Sequence, residues 1–168
     1  PIWTRFAVYL GGMPNSSQIA SKSAAMAIEP RDIERLDCSN ELTVTIDPFD
    51  AKDFDDAMSI SANDDKLIEL GVHISDVASY IAPKSRFDKS AAMRGFTCYL
   101  PGRTMPMLPK GLTAKISLQA KVNSFAHTVF VTVDKATGEV VKTRRAHTII
   151  KVDHRLNYEE VQAYVEHG

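Results

Sequence analysis

Four aspartates within ten positions are the residues best suited to chemistry in this sequence. They are Asp47, Asp53, Asp55 and Asp56, in the stretch T-I-D-P-F-D-A-K-D-F-D-D-A. Two carboxylates about 4 Å apart repel by roughly 1 kcal/mol in water and by about 4 kcal/mol at an effective dielectric near 20. Carboxylate oxygens suit hard cations, Mg²⁺ above all. The spacing therefore predicts a divalent-metal site of the kind that serves phosphate chemistry.

Two other interpretations of the acidic stretch are a calcium-binding loop and a solvated acidic loop. An EF-hand loop needs glycine at its sixth position and glutamate at its twelfth. Counted from Asp47, those positions hold Lys52 and Met58. The pattern disfavours a calcium-binding module, whereas the spacing alone leaves a solvated acidic loop open.

Two further side chains have both a functional and a structural interpretation. Tyr99, in F-T-C-Y-L-P, is either a packed loop aromatic or a platform on which a nucleobase stacks. His73, in G-V-H-I-S-D-V, suggests acid–base chemistry with Asp76, but it alternates with Val72 and Ile74 at a strand end. For His73 the pattern favours a structural role.

Charge is distributed unevenly along the chain, although the formal net charge is only −1. Residues 29–76 carry 14 acidic and four basic side chains, and residues 84–121 carry eight basic side chains against Asp88 alone. A metal-dependent nuclease needs one region that holds cations and another that attracts phosphates. Two solvated faces with no common function remain the alternative.

Composition bounds the class of protein. The 168 residues are 44% hydrophobic and 24% charged, which is ordinary for a globular domain with its own core. No apolar run approaches the roughly 20 residues of a membrane span. We therefore expect no membrane partner. Cys38 and Cys98 are far apart in sequence, so we expect free thiols and a reducing compartment such as the cytoplasm.

Hydrophobic periodicity and turn residues predict the elements that position these side chains. Strands are predicted at residues 5–10, 42–47, 53–61, 66–74, 125–134 and 139–152. Helices are predicted at residues 16–28, 29–32 (one turn), 76–81, 86–95 and after Asn157, where Glu160 completes a capping box. Residues 99–109 are predicted as a proline-punctuated loop. The fold class is therefore α+β, with a mixed, largely antiparallel sheet flanked by short helices.

Several segments in order resemble the ribonuclease II / ribonuclease R (RNB-domain) family of 3′→5′ exoribonucleases. They are T-I-D-P-F-D-A-K-D-F-D-D-A, G-V-H-I-S-D-V-A-S-Y-I and D-K-S-A-A-M-R-G-F-T-C-Y-L-P-G-R-T-M-P-M-L-P, with looser matches at S-L-Q-A-K-V-N and L-N-Y-E-E-V-Q. The resemblance implies a lead-in segment at residues 1–27 and the N-terminal part of the catalytic domain at residues 28–168. The remaining catalytic half and the cold-shock and S1 domains would lie elsewhere in the parent protein.

The resemblance also implies roles for the residues singled out above. Asp47, Asp53 and Asp56 would hold Mg²⁺ directly or through water, and Asp55 would be the catalytic aspartate, placing a second metal or the attacking water. Tyr99 would stack on the 3′-terminal nucleotide of single-stranded RNA, and the products would be 5′-nucleoside monophosphates. Where the family has a cysteine and an arginine, this sequence has Ile116 and Ser124. These departures keep a catalytically impaired RNA-binding relative as the alternative.

Overall fold

A computed structural model describes residues 29–62 and 64–167. Two compact units divide these residues: one holds residues 31–79 and 116–167, and the other holds residues 29–30 and 80–115. The predicted strand at 5–10, the predicted helix at 16–28 and the predicted boundary at residue 28 lie outside the described residues. Within those residues, no helix is both long enough and apolar enough to cross a membrane.

The described residues form nine strands and four helices. The strands are β1 Leu36–Asp37, β2 Thr43–Asp47, β3 Asp56–Ser61, β4 Leu67–Ser75, β5 Cys98–Leu100, β6 Arg103–Met105, β7 Asn123–Asp134, β8 Val140–Lys151 and β9 His154–Asn157. The helices are α1 Val77–Tyr80, α2 Arg86–Arg94, α3 Lys110–Ile116 and α4 Tyr158–His167.

A seven-stranded sheet dominates the first unit, in the order β1-β8-β7-β4-β3-β2-β9. Its four inner pairings are antiparallel, whereas β1 joins β8 and β9 joins β2 in parallel at the two edges. In the second unit, β5 and β6 form a separate antiparallel hairpin. The predicted α+β class with a mixed, largely antiparallel sheet is therefore confirmed.

Most of the predicted elements within the described residues are confirmed. The strands predicted at 42–47, 53–61, 66–74, 125–134 and 139–152 are β2, β3, β4, β7 and β8, with ends shifted by at most three residues. The capping box of α4 is also present, because Asn157 N–H donates to Glu160 Oε2 at 3.0 Å and Glu160 N–H donates to Asn157 Oδ1 at 2.8 Å.

Two local predictions are wrong. Residues 29–32 form no helical turn. The Arg31 N–H instead donates to Ser79 O at 2.9 Å, so a tertiary contact decides the conformation of this segment. The loop predicted at 99–109 contains the β5–β6 hairpin. Its turn is Pro101-Gly102 with Gly102 at φ +71°, the backbone that a proline–glycine turn favours.

The buried face of the central strands is more polar than the exposed face. In β4 the buried residues are Gly71, His73 and Ser75, whereas Val72 and Ile74 are exposed. The same inversion occurs in β3, where the small residues are buried. Core volume is supplied by the large side chains of neighbouring segments: Phe54, Leu118, Phe130, Ile150 and Val152.

His73 is satisfied inside this core. Its Nδ1 lies 2.8 Å from Thr128 Oγ1 and its Nε2 lies 2.9 Å from Ser59 Oγ. Thr128 Oγ1 in turn lies 2.6 Å from Thr148 Oγ1, so one hydrogen-bonded chain crosses β3, β4, β7 and β8. Burial lowers the pKa of His73 to about 4, and a neutral ring both donates and accepts. The structural interpretation of His73 is confirmed.

Replacing Gly71 by alanine is expected to destabilise the chain by about 1–3 kcal/mol through overpacking. A Cβ at this position would lie 2.5 Å from Ser59 Oγ and 2.8 Å from His73 Nε2. Urea unfolding followed by circular dichroism measures the change. Gly111→Ala is the matched control, because a Cβ there meets nothing within 4 Å and alanine favours a helix. Equal stability of the two variants would contradict the packing around Gly71.

His73 is also expected to make the chain sensitive to acid. Its pKa in the folded state, about 4, lies below the ordinary 6.5, so acid protonates the unfolded chain first. Stability is therefore lost as the pH falls from about 6.5 towards 4, by roughly 2–3 kcal/mol at pH 4.5. Urea unfolding across this pH range measures the loss. His73→Gln should flatten the dependence, and an unchanged slope in that variant would rule out His73 as its source.

Candidate functional site

The predicted metal-binding aspartates lie where β2 ends and β3 begins. Asp47 is the last residue of β2 and Asp56 the first of β3, and the connecting segment carries Asp53 and Asp55. Thr43 pairs with Ser59 and Val44 with Met58 in this antiparallel pair. The fold therefore confines the four aspartates to one strand-to-strand connection.

Asp47 has a buried oxygen that no described residue satisfies. Its Oδ2 is shielded from solvent and has no hydrogen-bond partner in the described part of the chain. Burial raises the pKa of Asp47, the Thr45 hydroxyl and the Arg155 charge oppose that rise, and the negative charge of Asp56 adds to it. Thr45 Oγ1 is itself buried without a partner at hydrogen-bonding geometry among the described residues. An unsatisfied buried acceptor is costly, and a cation is one group that would satisfy it.

The negative charges of the other three aspartates act on the Asp55 carboxyl group. Its pKa is raised, first by local desolvation of the carboxyl and then by the negative charges of Asp53, Asp56 and Asp47. The residue as a whole is exposed, so this desolvation is confined to part of the carboxyl group. The four side chains thus act on one another electrostatically, as their spacing predicts.

The arrangement fits a cation through its donor set. In the described residues no three histidine, cysteine or acidic side chains converge into a ready metal-binding group. Carboxylates repel one another, so bringing them closer together lowers the electrostatic free energy only when a cation lies between them. Hard oxygen donors together with the unsatisfied Oδ2 of Asp47 match the preference of Mg²⁺ for one or two carboxylates and retained waters.

Arg155, on β9, contacts the segment that connects β2 and β3. This role was not predicted from the sequence. Arg155 Nη2 donates to Ala51 O at 2.7 Å, and its guanidinium lies 4.1 Å from the centre of the Phe54 ring. The Ser75 N–H also donates to Asp55 O at 2.8 Å. The contact to Ala51 joins residues 104 positions apart, so no local pattern indicates it.

A buried ion pair stiffens the segment that follows β4. Arg35 Nη2 lies 2.9 Å from Asp76 Oδ2, with the two side chains 5% and 3% exposed. Burial opposes ionisation of Asp76, but hydrogen bonds from Ser79, Arg35 and His147 and the Arg35 charge lower its pKa. The histidine that contacts Asp76 is His147, whose Nδ1 lies 3.1 Å from Asp76 Oδ2. His73 Nδ1 lies against Thr128 Oγ1 instead. The two residues of G-V-H-I-S-D-V that suggest acid–base chemistry are thus separate structural groups.

Tyr99 lies in the second unit, on strand β5 of the hairpin. It pairs with Thr104 across the hairpin and is 74% exposed. The packed interpretation of this aromatic is therefore wrong within its own unit. Residues 80–115 also carry seven basic side chains against Asp88 alone. An exposed ring among basic side chains is typical of a surface that binds single-stranded nucleic acid.

Comparisons with known proteins identify the family. The RNB domain model matches residues 35–168. DIS3-like exonuclease 2 of Schizosaccharomyces pombe is 42% identical over 134 residues, which are 79% of this chain and 14% of that protein. Ribonuclease R of Chlamydia trachomatis is 37% identical over 152 residues, which are 90% of this chain and 21% of that protein. The chain thus spans about a fifth or less of the length of these relatives.

Solved structures share the fold. Mycoplasma genitalium RNase R in complex with ribose-methylated single-stranded RNA superposes with a TM-score of 0.81 at 23% identity, over 92% of this chain and 24% of that one. Yeast Ssd1, described as a pseudonuclease, superposes with a TM-score of 0.75 at 23% identity, over 84% of this chain and 18% of that one. The sequence match and the shared fold agree with the order of motifs, and the chain belongs to the RNB domain family of ribonucleases R and II.

Proposed function

We propose that this chain is the metal-binding part of a Mg²⁺-dependent 3′→5′ exoribonuclease that hydrolyses single-stranded RNA to 5′-nucleoside monophosphates. The observation that carries the proposal is the set of four interacting aspartates between β2 and β3, with the unsatisfied Oδ2 of Asp47 among them. Membership of the RNB family supports it. The remaining catalytic half and the cold-shock and S1 domains belong to the parent protein, which works in the cytoplasm, in keeping with two free thiols.

The four aspartates divide the work at the phosphodiester. Asp47, Asp53 and Asp56 would hold Mg²⁺, directly or through water. When bound, Mg²⁺ neutralises charge on the phosphate and makes an attacking water nucleophilic at neutral pH. Asp55, beside Asp56 at the start of β3, would accept a hydrogen bond from the attacking water or help to hold a second ion. Asp55 is therefore the proposed catalytic residue.

Tyr99 and the basic side chains of residues 80–115 provide the proposed RNA contacts. The exposed Tyr99 ring stacks on the 3′-terminal base, a contact worth about 1–3 kcal/mol that tolerates any base. The basic side chains attract the phosphate backbone without regard to sequence. These groups would hold the 3′ end of the RNA.

A catalytically impaired RNA-binding relative is the second candidate function. The fold shared with the pseudonuclease Ssd1 favours it. So does Ser124, which stands where the family resemblance implies an arginine and whose hydroxyl donates to Val122 O at 3.4 Å. The four aspartates, all present, favour the nuclease. Activity of the parent protein separates the two candidates.

In the full-length parent protein, Asp55→Asn is expected to lower turnover of 3′-accessible single-stranded RNA by about 100-fold or more, because one preorganised polar group at the reacting atoms contributes on that order. Release of 5′-nucleoside monophosphates with Mg²⁺ present measures the rate. Asp65→Asn is the matched control, since Asp65 is exposed in the turn between β3 and β4.

Two outcomes would contradict the nuclease. Turnover by the Asp55→Asn variant equal to that of the Asp65→Asn control would remove Asp55 from the mechanism. A parent protein that binds RNA with undiminished affinity, yet releases no nucleotide at any Mg²⁺ concentration, would support the impaired relative instead.

Metal removal is expected to reverse the order of stability between the wild type and Asp55→Asn. The raised pKa of Asp55 means that its contribution to stability is present at low pH and lost as the pH rises through that pKa. In EDTA at neutral pH, Asp55→Asn should therefore be the more stable protein. At ten times its dissociation constant, Mg²⁺ should stabilise the wild type by about 1.4 kcal/mol.

Thermal unfolding in EDTA and in Mg²⁺ tests this reversal, with Asp65→Asn as the control that should follow the wild type. An identical unfolding midpoint for the wild type in EDTA and in Mg²⁺ would contradict metal binding at the aspartates.

A further inference from the structure

Ser117, the first residue of S-L-Q-A-K-V-N, forms hydrogen bonds with the backbone between two of the aspartates. The Phe54 N–H donates to Ser117 Oγ at 2.8 Å, and Ser117 Oγ donates to Phe54 O at 3.3 Å. The Leu118 N–H also donates to Phe54 O at 2.8 Å. One serine hydroxyl and the next backbone amide thus satisfy both backbone groups of Phe54, 63 residues away in sequence.

Phe54 has no strand neighbour that would replace these bonds. It lies in the segment before β3, outside any strand, and its side chain packs in the core with Leu118. Without the Ser117 hydroxyl, the buried Phe54 N–H would lose its partner, at a cost of about 1–3 kcal/mol. The Arg155 guanidinium, 4.1 Å from the ring centre, restrains the ring as well.

The orientation of Phe54 decides the orientation of its two neighbours. Planar peptide units join Phe54 to both neighbours, so a rotation of the Phe54 backbone turns Asp53 and Asp55 as well. Asp53 is exposed, Phe54 is buried and Asp55 is exposed. Hydrogen bonds that hold the Phe54 backbone therefore also fix the directions in which the Asp53 and Asp55 carboxylates leave the chain.

We propose that Ser117 is a positioning residue for Asp53 and Asp55, acting through the backbone of Phe54; its effect on metal binding rests on the function proposed above. Ser117 is 4% exposed and its hydroxyl is occupied by Phe54, so it touches no substrate. Residues that orient metal ligands typically contribute 10–100-fold to metal affinity or activity. Displacement of a reacting group by about 1 Å costs on the order of 100-fold in rate.

Ser117→Ala in the full-length parent protein tests the proposal, with Ser117→Thr as the variant that keeps a hydroxyl. Ile150→Val is the matched control, because it truncates the same core cluster at a cost of about 0.5–1.5 kcal/mol and leaves the hydrogen bonds of Phe54 with Ser117 and Leu118 in place. The first readout is amide hydrogen exchange of residues 53–56 in EDTA, without RNA. Ser117→Ala should speed exchange there about 10-fold or more by local opening, whereas Ile150→Val should not.

The second readout is Mg²⁺ affinity by titration calorimetry without RNA, followed by turnover. Ser117→Ala should weaken Mg²⁺ binding about 10-fold and lower kcat with little change in KM for RNA, and Ser117→Thr should recover part of both. Equal exchange rates or equal Mg²⁺ affinities in the Ser117→Ala and Ile150→Val variants would overturn the positioning role. A wild type that neither binds Mg²⁺ nor degrades RNA would overturn the proposed function, and the exchange rates would still decide whether Ser117 holds the segment.

Discussion

Four carboxylates confined to one strand-to-strand connection repel one another, and the fold must hold their backbone in place despite that repulsion. The connection is secured at several points. The Ser75 N–H bonds to Asp55 O, Ser117 bonds to both backbone groups of Phe54, and Arg155 bonds to Ala51 O. These contacts reach the connection from three different parts of the chain. Tertiary contacts therefore hold the backbone of the connection on which the aspartates lie.

The buried face of the central strands carries polar side chains that are hydrogen-bonded to one another. The chain of hydrogen bonds through His73 ties four adjacent strands together inside the core. The buried Arg35–Asp76 pair fixes the segment that follows β4. A buried polar network stiffens a core when its members are satisfied, and both ring nitrogens of His73 are. The Arg35 Nη1 atom, by contrast, is buried without a partner among the described residues. A site whose ligands repel one another gains from such a scaffold, because its geometry does not depend on the ligands alone.

The sequence predicted the parts of the fold that have a local signal. Alternation located β2, β3, β4, β7 and β8, and Asn157 with Glu160 located the start of α4. The short edge strands β1 and β9 were not predicted, because two and four residues carry little periodicity and their parallel partners are distant in sequence. Periodicity also could not show that the apolar face of β4 is the exposed one. The volume that fills the opposite face comes from Phe130 and Ile150 on other strands.

The candidate site divides in the same way. The aspartates and Tyr99 were found from residue type, spacing and family resemblance. Arg155 and the contacts of Ser117 were not found, because they join positions 104 and 63 residues apart. Residues that donate to a metal or stack on a base have recognisable chemistry in sequence. Residues that only position them have ordinary chemistry, and their role follows from contacts that the folded chain creates.

The proposed binding of a divalent cation by the aspartates between β2 and β3, at the unsatisfied oxygen of Asp47, can be observed in a crystal. A crystal structure of the parent protein grown with Mn²⁺ in place of Mg²⁺ tests it directly through anomalous scattering. We expect an anomalous peak within about 2.0–2.4 Å of Asp47 Oδ2, with further oxygen ligands from the neighbouring aspartates or from water. No peak at the aspartates, or a peak only at another group of side chains, would show that they do not form the metal site.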